Sequence, residues 1–209
     1  FFFNETLIIN RTKNYINNRS IHQTDMMFEL LKQCKIPYKK NIEIETFLPK
    51  EISIKSKRNV CLIHLSSKWI NKYYNEKDFI ELLNNLKKKY NLLLTSDSTT
   101  RDKFYEIYEK YLIINDKNFR EFKEISEITL LDNLSFENWI QSIYSSNIVI
   151  TPECGCTHIA ALCKKNSKII YDPDNKPNMI NAEYSPWKSK YEKFIFNDKN
   201  LNKSLVANL

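Results

Sequence analysis

Short apolar blocks punctuate this chain, and the spacing inside them switches between two periods. Residues 60–65, 92–95, 128–131, 148–151, 168–171 and 193–196 are brief runs rich in aliphatic and β-branched side chains. Runs of that length, apolar at successive positions, predict strands buried on both faces. The segments between them repeat with helical spacing. Residues 76–90 set Phe79, Leu82, Leu83 and Leu86 on one face, and residues 99–111 do the same with Phe104, Ile107 and Tyr108. Ser135 caps a third helix through residue 143, and a fourth starts at about Gly155. Before residue 58 the pattern is thinner. It predicts a strand at 5–10 and a helix at 24–33 carrying Met26, Met27, Leu30 and Leu31, then a polar connection through Pro37 and Pro49. Strands alternating with helices predict an α/β fold, a doubly wound parallel sheet of the Rossmann-like kind. The linker-like run at 53–59 divides the chain into residues 1–55 and residues 56–209.

The chain has a single glycine, Gly155, between the strand at 148–151 and the helix after it. A sequence that does without glycine elsewhere is expected to keep one where the backbone needs a positive φ or where a ligand must come close. A strand–turn–helix junction also aims free backbone N–H groups at whatever lies above the strand end, which suits a phosphate. A second loop, His64-Leu65-Ser66-Ser67-Lys68-Trp69-Ile70-Asn71-Lys72, comes after the strand at 60–65 and offers hydroxyls and lysines to an anion. Doubly wound sheets bind ligands at the carboxyl ends of their strands. The two loops together therefore predict a pyrophosphate held between them.

Composition narrows the class. The hydrophobic share of 42% and aromatic share of 13% are those of a globular protein. No apolar run reaches membrane-spanning length, and no signal peptide is visible. The chain starts at Phe1 without a methionine, so a longer precursor is expected. The five cysteines, Cys34, Cys61, Cys154, Cys156 and Cys163, form no CxxC pair. They give neither metal-ligand spacing nor a disulfide framework and read as reduced thiols. The net charge of +7 suits an anionic partner. It is spread along the chain, and no nucleic-acid module motif accompanies it, so no nucleic-acid partner is expected.

Three segments carry a family resemblance. Lys72-Tyr73-Tyr74-Asn75-Glu76-Lys77-Asp78-Phe79 resembles the Lys-x-Trp-Pro-x-Glu-x-Phe signature of the heptosyltransferase-like glycosyltransferases, family nine, departing from it at Tyr74, Asn75 and Lys77. Glu153-Cys154-Gly155-Cys156-Thr157-His158-Ile159-Ala160-Ala161 resembles that family's Asp-Thr-Gly-x-x-His-x-Ala-Ala. Leu134-Ser135-Phe136-Glu137 resembles its Met-Ser-Leu-Glu. The resemblance covers residues 58–196. It implies the C-terminal, nucleotide-sugar-binding half of a GT-B fold, with residues 1–55 as the remnant of an N-terminal acceptor domain and linker.

Carried over position by position, the resemblance implies that Ser66, Ser67 and Lys72 contact the donor pyrophosphate. Glu153, Cys154, Gly155, Cys156, Thr157 and His158 would line the pyrophosphate and proximal sugar. Leu134 would pack near the base, and Asp97 would meet the ribose hydroxyls. Transfer in such enzymes is inverting and needs no metal and no cofactor beyond the nucleotide-diphospho-sugar donor. The acceptor would be a lipopolysaccharide core or another surface glycan. The setting would be cytoplasmic, with peripheral contact to an anionic inner membrane. The family's catalytic base is an Asp near the start of the N-terminal domain. It is expected upstream of Phe1, so no catalytic residue is assigned. The alternative reading is a catalytically incomplete nucleotide- or glycan-binding module. Cys154 stands where the family has a hydroxyl, and a thiol is the weaker donor. Each site residue also has a plainer reading: His158 as a capping or core histidine, His64 as a strand-end histidine, His22 as a structural one, Glu153 as a helix-start carboxylate. Trp69, Trp139 and Trp187 read as packing residues, with Trp187 the candidate exception as a sugar platform.

Overall fold

The computed structural model describes residues 21–39, 56–70, 74–96, 99–122, 124–125, 127–196 and 200–207. The strand expected at 5–10, residues 53–55 of the expected linker, Lys72 and Asp97 lie outside the described residues. Among the described residues, seven strands form one sheet: β1 (Val60–His64), β2 (Asn91–Ser96), β3 (Leu112–Asn115), β4 (Ile128–Asp132), β5 (Ile148–Pro152), β6 (Asn166–Tyr171) and β7 (Tyr191–Ile195). Every pairing is parallel, and the order is β3-β4-β2-β1-β5-β6-β7. The helices are α1 (Gln23–Gln33), α2 (Glu76–Leu86), α3 (Tyr105–Lys110), α4 (Asp116–Phe119), α5 (Phe136–Tyr144), α6 (Gly155–Leu162), α7 (Pro177–Tyr184) and α8 (Leu201–Ala207).

Strand side chains alternate between faces, and this sorts the apolar runs into two cores. Cys61, Ile63, Leu92, Leu94, Leu130 and Ile150 face one way, onto α2, α3 and α8 through Phe79, Leu82, Leu83, Leu86, Phe104, Leu201 and Leu205. Val60, Leu62, Leu93, Leu131 and Val149 face the other way, onto Ile143, Cys156, Ala160 and Cys163 of the α5 and α6 region. That is why the central strands lack polar alternation: neither face meets water.

Several elements depart from the periodicity. The helix expected at 76–90 ends at Leu86, where Lys89 N–H turns back to Leu86 O (3.0 Å) so that the chain can enter β2. The helix expected at 99–111 is divided into a single 3-10 turn (Arg101–Lys103) and α3. β3, α4, α7 and α8 are absent from the sequence expectation. β3 is a four-residue edge strand, half-exposed along its length. α7 carries the usual start signal, Pro177 in its first turn, but only a sparse apolar stripe. α8 buries just Leu201 and Leu205, and it is tied down by Lys168, a fully buried lysine of β6 that donates to Leu205 O (3.0 Å).

The scarcity of glycine has a backbone consequence. Among the described residues, positive φ occurs at Lys35, Asn133, Lys164, Lys176 and Lys188, and not at Gly155. Lys35 and Lys164 end α1 and α6 in matching six-residue caps. Ile36 N–H donates to Leu31 O (2.9 Å) and Lys35 N–H to Lys32 O (3.1 Å); Lys165 N–H donates to Ala160 O (2.9 Å) and Lys164 N–H to Ala161 O (2.9 Å). Such caps favour glycine at the left-handed position because a Cβ there crowds the carbonyl. Lys164→Gly should therefore raise unfolding free energy by about 1 kcal/mol, net of the extra freedom of glycine in the unfolded chain. Chemical denaturation checks this, and an unchanged or lowered midpoint would refute it.

Candidate functional site

The strand order reverses at β1. From there the chain passes to β2, on to the sheet edge as β3 and back between the two as β4, then crosses to the other side of β1 as β5, β6 and β7. In sheets of this kind the crevice lies outside the carboxyl ends of the strands where the order reverses, here between the loops after β1 and β5. The β1 loop is firmly anchored. Leu65 N–H extends the ladder to Thr95 O (2.7 Å), and Trp69 N–H closes a turn onto Ser66 O (2.9 Å). Trp69 is fully buried against Tyr74, Phe79 and Phe196, and its Nε1–H donates to His64 O (2.6 Å). Pulling Trp69 into the core leaves Ser67 and Lys68 exposed at the edge, with Ser66 half-buried beside them.

The β5 loop is as well defined. Glu153 N–H continues the ladder to Ile170 O (2.9 Å), and Cys154 is fully extended. Thr157 is buried; its Oγ1 accepts from Cys154 N–H (3.2 Å), and its own N–H donates to Cys154 O (3.1 Å). The Cys156 thiol is buried in the second core, and burial pushes its pKa up. What Gly155 and Cys156 present to the crevice is therefore backbone N–H, which has no acceptor within the helix at these positions. The expectation of a positive φ at Gly155 is corrected. A Cβ built there meets nothing within 4 Å, so the backbone of α6 begins in open space.

Lys68 joins the two loops. Its Nζ donates to the Glu153 backbone carbonyl and to Glu153 Oε2 (3.0 Å). With the lysine side chain 49% exposed, the pair adds little to stability; it places an ammonium and a carboxylate side by side at the α6 N-terminus. His158 stands on the first turn of α6. Its ring is open to solvent on one side yet packed closely enough that partial burial lowers its pKa, with His22 acting the same way and Glu153 opposing both. His22 itself caps α1. Its Nδ1 accepts from Thr24 N–H (3.2 Å) and its Nε2 contacts Ser185 O (2.8 Å). A carbonyl can only accept, so Nε2 is the donor in the contact with Ser185 O.

A second cavity, of about 310 Å³, lies at the carboxyl ends of β1, β2 and β4. Leu134, Phe136 and Trp139 line it together with His64, whose Nδ1 bonds Thr95 Oγ1 (3.0 Å). Trp139 packs 5.5 Å from His64 and 6.0 Å from Phe136. Trp139 is thus the tryptophan at a cavity, whereas Trp187 packs on Phe28 of α1 (6.0 Å). At the same edge Ser96 Oγ and Tyr108 OH both donate to Asp132 Oδ1 (2.9 and 2.8 Å), an acid that no sequence motif singles out. The α5 N-terminus is already occupied. Asp116 Oδ1 accepts from Ser135 N–H (2.6 Å) and Asn138 Nδ2 (2.8 Å), which holds its carboxyl below the usual range. Of these two helix starts, the α6 start is the one that remains open to an anion.

The fold and this edge define a Rossmann-like domain with its crevice at the strand-order reversal. The family model described as glycosyltransferase family 9 (heptosyltransferase) matches residues 17–206, and the chain belongs to that family. Comparison with curated proteins finds no match. Among solved structures, the chain is similar to a family 9 glycosyl transferase from Veillonella parvula (13% identity, 88% of this chain and 52% of that one, TM-score 0.58). It is also similar to E. coli heptosyltransferase WaaC with ADP (14%, 79% and 47%, 0.53). A third is E. coli ADP-heptose lipopolysaccharide heptosyltransferase II (13%, 81% and 52%, 0.51). The chain spans about half the length of each.

The histidine environment makes a prediction. The His158 midpoint tracked by NMR should fall below the ordinary value of 6.5, and Glu153→Gln should lower it further by removing the opposing carboxylate. Because the folded-state pKa is the lower one, the unfolded chain takes up the proton first. The His158 contribution to stability is full above about 6.5 and declines as pH falls toward the folded-state midpoint. A midpoint above 6.5 in the wild type would refute this electrostatic picture.

Proposed function

We propose that the crevice between the β1 and β5 loops binds the diphosphate of a nucleotide-sugar donor. We further propose that the chain serves transfer of a heptose-like sugar to a lipopolysaccharide-core or other surface-glycan acceptor. The observation that carries this reading is the Lys68–Glu153 contact, which brings the two anion-friendly loops together across the strand-order reversal. In this reading the N–H groups of Gly155 and Cys156 and the side chains of Ser66, Ser67 and Lys68 receive the phosphates. The helix N-terminus adds its partial positive charge. The cavity at Leu134 and Trp139 takes the base; at about 310 Å³ it sits at the lower end of the range for small-molecule pockets. Lys72 and Asp97 keep the roles that the family resemblance implies, at the pyrophosphate and ribose.

Chemically, sugar transfer leaves a diphosphate whose new negative charge must be stabilised. Fixed cations and backbone donors already pointing at that position do so without reorganisation, which is why the reading is metal-independent. Inversion results if the acceptor attacks from the face opposite the departing phosphate, assisted by the base that the family resemblance puts in the N-terminal domain. Among the described residues no helix is long and apolar enough to cross a membrane. The net charge of +7 suits peripheral contact with anionic lipid or a phosphorylated acceptor at the cytoplasmic face.

Isothermal titration with ADP, GDP, UDP and dTDP tests the reading. At least one diphosphate should bind. Lys68→Ala and Lys72→Ala should each weaken it by about tenfold, the loss of one charge-assisted contact. Absence of binding by all four, or unchanged affinity in both variants, would overturn the proposal.

A further inference from the structure

α8 is seven residues long, too short to persist as a helix unless it packs. Leu201 and Leu205 dock it by entering the first core, whose buried members include Trp69, Tyr74 and Phe196. Polar links then fix its register. The buried Lys168 ammonium donates to Leu205 O (3.0 Å), a carbonyl of the last turn for which the helix itself supplies no donor. Burial holds the Lys168 pKa below the ordinary lysine value, with Glu192 and Cys61 opposing the shift and Lys89 adding to it. The charge thus weakens the docked state while its bond orients the helix, which leaves α8 releasable. On the first turn of α8, Asn202 Oδ1 accepts from the Tyr74 hydroxyl, and Asn202 Nδ2 donates to Asp78 O of α2 (3.1 Å).

Tyr74 joins the helix to the β1 loop. Its ring packs 5.7 Å from Trp69 and 6.1 Å from both Phe79 and Phe196, while its hydroxyl is the atom that reaches α8. Burial, and Asp78 after it, push the phenol pKa up, so the hydroxyl remains a donor. Trp69 carries the path onward. Its backbone N–H closes the turn onto Ser66 O (2.9 Å), and its Nε1–H holds His64 O (2.6 Å). Packed side chains and hydrogen bonds therefore run without a break from α8 through Tyr74 and Trp69 to the turn that carries Ser66, Ser67 and Lys68. Contiguity alone does not couple two sites; an element with two states is also needed. α8 supplies one, because so short a helix is either docked or unfolded.

We propose that α8 is a releasable strap that docks as a unit and, through Asn202, Tyr74 and Trp69, holds the β1 loop in its anion-receiving form. Tyr74 and Asn202 are positioning residues in this account, and Lys168 sets the helix in place through Leu205 O. The consequence for anion binding rests on the donor-binding reading above; the link between α8 and the β1 loop does not.

Amide hydrogen exchange followed by NMR on the full chain tests the link without a ligand. The reporters are Ser204 N–H in α8, which donates to Asn200 O (2.8 Å), and Trp69 N–H in the β1 loop. Tyr74→Phe, Asn202→Ala and Lys168→Met each remove one link. Each should speed exchange at Ser204 by about fivefold, the loss of one hydrogen bond. Trp69 should speed up with it, while the central-strand amide of Leu93 stays unchanged. Lys168→Met is the most telling variant, because its bond is to Leu205 O and not to Tyr74 or Trp69. Coupling is reciprocal, so whichever of ADP, GDP, UDP and dTDP binds should slow exchange at Ser204 in the wild type by about threefold or more. Unchanged exchange at Ser204 in all three variants, or faster exchange there with Trp69 unaffected, overturns the proposal. A bound diphosphate that leaves Ser204 unchanged also overturns it. Failure of every diphosphate to bind overturns the donor-site reading, while the ligand-free comparison still decides whether α8 holds the loop.

Discussion

Parallel strands cannot be joined by tight hairpins; each connection must cross over the sheet. A chain that starts in the middle and builds outward must at some point return to the opposite side of its first strand, and here it does so between β4 and β5. That return is the constraint on which the functional edge depends. It sets the β1 loop beside the β5 loop although Lys68 and Glu153 are 85 residues apart in sequence. It also leaves a gap above β1 and β5 that no crossover helix fills. The open α6 N-terminus and the aromatic cavity lie along the same carboxyl edge, because both are built around the loops that leave the strand ends.

Rigidity at this edge comes from packing rather than from the exposed charges. Trp69 is drawn into the core by three aromatic neighbours and by its bond to His64 O, and Thr157 is buried beneath the β5 loop, holding Cys154 N–H. The charged groups ride on those anchors. Lys68 and Glu153 neutralise each other, so under the proposed function a diphosphate would exchange one anion for another at Lys68. His158 and His22 extend this electrostatic neighbourhood toward α1, which is pinned to the Ser185 carbonyl.

The central architecture was legible in the sequence because buried parallel strands read as unbroken aliphatic runs, and β1, β2, β4, β5 and β6 do. Edge elements were not. β3 is half-exposed, and α7 and α8 bury only two residues each, so their stripes are faint. Gly155 marks the junction between β5 and α6, but its conformation is not the expected one. Its φ is ordinary, left-handed positions fall on lysines and an asparagine, and what it leaves is open space at the start of a helix. Motif resemblance named Glu153 and His158 but could not single out Lys68. That residue gains its meaning from strand order and from a neighbour distant in sequence, which periodicity does not encode. The same blindness applies to Lys168, a lysine that looks surface-bound in sequence and is fully buried beneath α8.

The central claim is that a diphosphate lies between the β1 loop and the α6 N-terminus. A crystal structure of the protein soaked with the tightest-binding nucleoside diphosphate tests it directly. The account predicts phosphate oxygens within hydrogen-bond distance of the Gly155 and Cys156 N–H groups, with Lys68 Nζ turned from Glu153 Oε2 toward the phosphate. A diphosphate bound elsewhere on the chain, with the Lys68–Glu153 pair undisturbed, would contradict it.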